Sequence, residues 1–141
     1  MPMPESYKSF RRTADGSSVE MTEEKLPSSL QSNHVLIRIH AVSLNYRDVA
    51  MINGKYPVQV IDRGIPASDC AAEVITVGCD VKDFSPGDRV APLFDLNTIT
   101  GLEDNMQVLG GDIDGVLRQY AVFDQKALVH LPKHLSWEEV G

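Results

Sequence analysis

A chain of 141 residues, 43% hydrophobic and 23% charged, has the makeup of one globular domain; at this size roughly 70% of the extended surface is buried, so a core is expected and disorder is not. The net charge of −7 opposes approach to nucleic-acid phosphates and anionic lipid, and Arg11-Arg12 is the only basic doublet. No apolar run approaches the ~18 residues of a membrane span, and the first residues lack the basic flank and apolar stretch of a secretion signal. These features exclude nucleic acid and membranes as partners and lead us to expect a soluble, cytoplasmic protein.

Taken in chain order, Tyr7 to Thr13 and Ser18 to Lys25 are β-prone runs around a turn at Asp15-Gly16, the pattern of a hairpin. From His34 to Val42, Val35, Ile37, Ile39 and Ala41 fall on one face and Arg38 and His40 on the other, which predicts a half-buried strand. Asn45 as N-cap, Asp48 three residues later and Gly54 beyond predict one or two turns of helix. After a loop through Tyr56-Pro57 and Ile65-Pro66, Cys70 to Val77 reads as a strand ended by Gly78-Cys79-Asp80, and the Pro86-Gly87 turn leads into another ending at Ala91. Residues 92–115 form a loop longer than ordinary connections, the kind that binds or covers a ligand. Val116 to Phe123 and Ala127 to Leu131 read as strands, and Ser136 with Glu139 forms a capping box that opens a helix of one turn. A sheet that keeps turning over short strands predicts a mainly β fold with short helices, curled into a partly open barrel.

Cys70 and Cys79 are too few and too far apart for a disulfide framework or a zinc knuckle, so both are expected as reduced thiols. His130 and His134 have helical spacing, but Pro132 between them disfavours a shared helix. The glycines at 110, 111 and 115 lack phosphate-loop spacing and enclose two carboxylates, Asp112 and Asp114, where an anion would sit.

Six segments in this order, Ala41-Val42-Ser43-Leu44-Asn45-Tyr46-Arg47-Asp48, Asn53-Gly54-Lys55-Tyr56-Pro57, Ile65-Pro66-Ala67-Ser68-Asp69, Val77-Gly78-Cys79-Asp80-Val81, Pro86-Gly87-Asp88-Arg89-Val90 and Gly115-Val116-Leu117-Arg118-Gln119-Tyr120, together resemble the N-terminal, GroES-like domain of the medium-chain dehydrogenase/reductase superfamily, especially its zinc-free quinone-oxidoreductase-like members. The resemblance implies a GroES-like catalytic-side domain over residues 1–135 and the start of a truncated linking helix over 136–141. The Rossmann domain that follows in family members is absent from these residues. It implies NADP or NAD as coenzyme of the complete architecture, not held tightly by this chain alone, and a small-molecule carbonyl or enone as substrate.

In zinc-dependent members a Cys matches Asn45, a His matches Ser68 and a Glu matches Asp69; the residues here imply that zinc is not bound. The resemblance makes Asn45 and Tyr56 the catalytic candidates, an amide donating to a carbonyl and a phenol donating or relaying a proton. Asn45, Tyr46 and Asp48 are then the cofactor-binding candidates, and Tyr56, Ser68 and Asp69 the substrate-binding ones. Each has a structural alternative: Asn45 and Asp48 as helix caps, Tyr56 as a loop anchor, Ser68 and Asp69 in local turn bonding. Arg47 suits a phosphate or substrate carboxylate, or stays an exposed cation. The isolated chain is expected to be redox-silent, and the surface that would meet a second domain to be apolar and open to a protein partner or a second copy. The alternative is a domain repurposed as a non-redox binding, isomerase or interaction module.

Overall fold

The computed structural model describes residues 3–141, and its regular elements are mostly antiparallel strands. Strands β1 (Ser6–Arg12) and β2 (Val19–Lys25) pair as the expected hairpin, with Gly16 in the turn. Strand β3 (His34–Ser43) is followed by helix α1 (Tyr46–Ile52), β4 (Asp69–Val77), β5 (Arg89–Pro92), β6 (Tyr120–Asp124), β7 (Leu128–His130) and helix α2 (Trp137–Val140). The five later strands form one sheet in the order β6-β3-β4-β5-β7. Mostly strand with few short helices, this curled half-barrel is the fold class expected of the sequence. No helix among the described residues is long and apolar enough to cross a membrane.

Curling has a local cause. The β3–β4 register slips between Leu36 and Ile37 and again between Ile39 and Ala41. Such bulges bend a strand and raise its twist. They also correct the strict alternation expected of β3, because Val35, Leu36 and Ile37 are consecutively buried. Val35 and Ile37 meet Val74 of β4, Val90 of β5 and Phe123 of β6 in the core.

Two further strand expectations need correction. The run from Val116 becomes β6 only at Tyr120: before that, Val116 N–H bonds Ala67 O at 3.0 Å, Leu117 N–H bonds Pro66 O at 3.1 Å, and Gln119 N–H bonds Lys8 O at 3.0 Å. Val116 and Leu117 therefore tie onto the 65–68 segment and the Gln119 N–H onto the hairpin, while the Gln119 carbonyl accepts the Ile39 N–H of β3 at 2.8 Å. Gln125–Ala127 is a 3-10 turn capped by Asp124, so β7 starts at Leu128, not Ala127. The long loop is tied at its base, where Leu96 N–H reaches Gln107 O and Leu109 N–H reaches Phe94 O, each at 3.0 Å.

Close backbone approach fixes the floor of the site. At Gly115 a Cβ would lie 2.0 Å from Ala67 O and 2.5 Å from Pro66 O, so only glycine lets these chains meet. At the far end, Trp137 of α2 stacks on His40 at 4.2 Å and carries the Arg89 guanidinium 3.9 Å over its other side, while Arg89 donates to Leu135 O at 2.6 Å.

Candidate functional site

Helix α1 starts at Asn45 because three features coincide there. Asn45 is extended (φ −114°, ψ 160°), its N–H donates to the Asp48 carboxylate at 3.0 Å, and the Asp48 N–H bonds Asn45 O at 3.0 Å. Asp48 thus performs half of a capping box at the positive end of the helix. Its other oxygen accepts the Ala67 N–H at 3.0 Å. Ala67 has φ 71°, a left-handed conformation that costs an L-residue about 1–2 kcal/mol, and the Asp48 carboxylate holds it there. One buried carboxylate therefore joins the start of α1 to the segment entering β4.

That turn delivers Ser68 and Asp69 beside Asn45. The Asn45 amide donates to Asp69 Oδ2 at 2.6 Å, and the Ser68 hydroxyl donates to the same oxygen at 3.3 Å. Ser68 is buried and Asp69 exposed, with Asp69 bordering a hollow of 320 Å³ between β4, β5 and the end of α2. Asn45, Asp48, Ser68 and Asp69, separated by up to 24 residues, thus form one hydrogen-bonded group. Cys70, the next residue, turns the other way into the core, where burial pushes its thiol up to about 12.

Tyr56 stands outside this group. It sits with Arg47, whose Nε donates to the Tyr56 hydroxyl at 3.4 Å and whose guanidinium lies 5.5 Å from the Tyr56 ring centre and 5.0 Å from that of Phe94. Arg47 Nη1 donates to Leu109 O at 3.0 Å. These side chains line a cavity of 440 Å³ with Val58 and Met106. Arg47 is thus built in rather than left as a free surface cation, and Phe94 is a site residue that sequence reasoning missed; its place in the long loop was the only signal. Tyr46 is 79% exposed, as are Leu44 and Val49 beside it to a smaller degree, and no hydrogen bond ties the Tyr46 side chain to the Asn45 group among the described residues.

Chemically, the group offers an amide donor with one N–H already used, a carboxylate and a buried hydroxyl. Because Arg47 donates to the oxygen of Tyr56, the phenol's own proton is left to point elsewhere. No three His, Cys, Asp or Glu side chains among the described residues gather to hold a metal.

The alcohol dehydrogenase GroES-like domain family matches residues 31–133. A zinc-type alcohol dehydrogenase-like protein of Schizosaccharomyces pombe is 40% identical over 122 residues, covering 84% of this chain and 35% of that protein. The chloroplastic quinone-oxidoreductase QR1 of Triphysaria versicolor is 35% identical over 113 residues, covering 74% of this chain and 28% of that protein. The chain therefore spans about a third of the length of these relatives. Among solved structures, a candidate alcohol dehydrogenase from Sinorhizobium meliloti 1021 superposes with a TM-score of 0.82 at 30% identity, over 99% of this chain and 42% of that one. The chain belongs to the alcohol dehydrogenase GroES-like domain family of the medium-chain dehydrogenase/reductase superfamily.

Proposed function

We propose that these residues form the catalytic side of a zinc-independent, NAD(P)H-dependent oxidoreductase acting on carbonyls or activated double bonds. The observation that carries this reading is the Asn45 amide held on Asp69 at 2.6 Å, where α1 and β4 both begin. A nicotinamide bound against Asn45 and Tyr46, with the buried Asp48 contributing only through the backbone it holds, would supply the hydride. Asn45 orients the acceptor carbonyl through its free N–H, Asp69 and Ser68 fix the amide's rotation, Asp48 fixes the backbone beneath it, and Tyr56 donates the proton.

Zinc independence rests on the donor set. An amide, a hydroxyl and one carboxylate are poor partners for zinc beside thiolate and imidazole. Cys70, the nearest thiol along the chain, is packed in the core with its proton held far above neutral pH. By themselves the 141 residues supply one wall of a coenzyme cleft and are redox-silent.

The test joins them to the coenzyme-binding domain of the S. pombe relative and follows NADPH-dependent reduction of a quinone and an enone. The joined protein turns over, the 141 residues alone do not, and Asn45→Ala lowers kcat by about 10²-fold. Turnover by the 141 residues alone, or a kcat indifferent to Asn45→Ala, refutes the reading. A second reading, a non-redox interaction module, is favoured by the exposed Leu44, Tyr46 and Val49 around α1. Sedimentation distinguishes it, since this reading requires self-association or a stable partner.

A further inference from the structure

Arg47 is the cation that the proposed reaction leaves unused, and its setting is that of a binding group. Nη1 is fixed on Leu109 O, Nε on the Tyr56 hydroxyl, and the guanidinium lies between the rings of Tyr56 and Phe94. Behind it stands Gly111, where a Cβ would come within 3.1 Å of Nη2, so the missing side chain makes its room. Nη2 itself donates to no group among the described residues.

Arg47 also has no carboxylate within 4.0 Å among the described residues, in a chain with 20 acidic side chains. The acids near it are committed elsewhere: Asp48 to the Asn45 and Ala67 N–H groups, and Asp112, at the cavity's edge, to the Val108 N–H at 3.0 Å. A second guanidinium reinforces the site from behind. Arg12 is buried and donates to Gly110 O at 2.9 Å, so Arg12 and Arg47 grip consecutive carbonyls of one loop. Burial lowers the Arg12 pKa, Asp48 and Asp114 partly offset this, and the like charge of Arg47 adds a smaller push in the same direction as burial.

We propose that the 440 Å³ cavity is a subsite for a planar, conjugated carboxylate, its oxygens taken by the free Nη2 edge of Arg47 and its flat body laid against Phe94 and Tyr56. Val58 and Met106 cover the apolar end. The inference deepens the proposed function, on which its catalytic meaning rests, by naming unsaturated carbonyl compounds that bear a carboxylate as the substrate class.

Binding is tested without coenzyme, by calorimetry of the 141-residue chain with trans-cinnamate and its uncharged methyl ester. Cinnamate binds about tenfold more tightly than the ester, and Arg47→Gln removes that preference while leaving ester binding unchanged. Arg47→Lys keeps part of it, because charge remains but the planar guanidinium held by Tyr56 and Leu109 is lost. Asp112→Asn, whose amide oxygen still accepts the Val108 N–H, tightens cinnamate about threefold and not the ester. Equal binding of acid and ester, binding of neither, or a preference untouched by Arg47→Gln and Asp112→Asn overturns the proposal. Failure here with Asn45→Ala still crippling the joined enzyme sinks only the subsite; the reverse pattern sinks only the proposed function.

Discussion

Replacing Asp48 by Ala probes the joint on which the candidate site is built. The carboxylate is 5% exposed and accepts two main-chain N–H groups, from Asn45 and Ala67, each at 3.0 Å. A hydrogen bond to a charged group contributes about 1.5–3 kcal/mol, and a buried donor left without a partner costs about 1–3 kcal/mol. The strain at Ala67, with φ 71°, is carried by the folded chain in both proteins and adds nothing to the difference. The sum points to a loss of about 3–5 kcal/mol, a large share of the 5–15 kcal/mol typical of a domain. Asp48→Asn loses less, about 2 kcal/mol, because its amide oxygen still accepts one N–H while its NH₂ faces the other. Urea unfolding followed by circular dichroism measures both. A change below about 0.5 kcal/mol for Asp48→Ala would refute the reasoning and return Asp48 to a role confined to ligand contact.

Other outcomes follow from the same geometry. Burial keeps the Cys70 proton in the folded chain up to about 12, against an ordinary thiol value near 9.0, so above pH 9 the folded state binds more protons and stability falls as pH rises; Cys70→Ala removes that part of the decline, measured as the difference between the two unfolding curves. Iodoacetamide at neutral pH labels exposed Cys79 and spares Cys70, and two adducts on the native chain by mass spectrometry would contradict the burial. Arg89→Ala frees Trp137, the only tryptophan, and its emission shifts to the red with greater quenching by acrylamide; an unchanged spectrum means α2 is held some other way. Gly115→Ala drives a Cβ into three backbone carbonyls and costs several-fold more stability than Gly16→Ala, which meets only the penalty of φ 72°, about 1 kcal/mol.

Much of the fold was legible because its signals are local. The hairpin around Asp15-Gly16, the start of α1 at Asn45, its end before Gly54 and the Ser136-Glu139 capping box are all written within a few residues, and all are found. What was not legible depends on distant partners. Val116 to Gln119 are as β-prone as the rest of their run, yet Val116 and Leu117 bond the 65–68 segment and the Gln119 N–H bonds Lys8 O, a choice made by glycine-permitted contact at Gly115. Leu36 is buried because bulges in β3 override alternation. At the site, Asp48 caps the helix as its structural alternative has it, whereas Asn45 holds the N-cap position while its amide donates to Asp69. The grouping of Arg47, Tyr56 and Phe94 spans 47 positions along the chain and leaves no pattern in the sequence.

The proposed site stands or falls on whether amide, hydroxyl and carboxylate work without a metal. The most direct measurement is zinc content of the purified, coenzyme-competent protein, read together with its NADPH-dependent turnover before and after chelation. No stoichiometric zinc and a rate unchanged by the chelator are the expected result. Stoichiometric zinc, with activity lost on its removal and regained on its return, would contradict it.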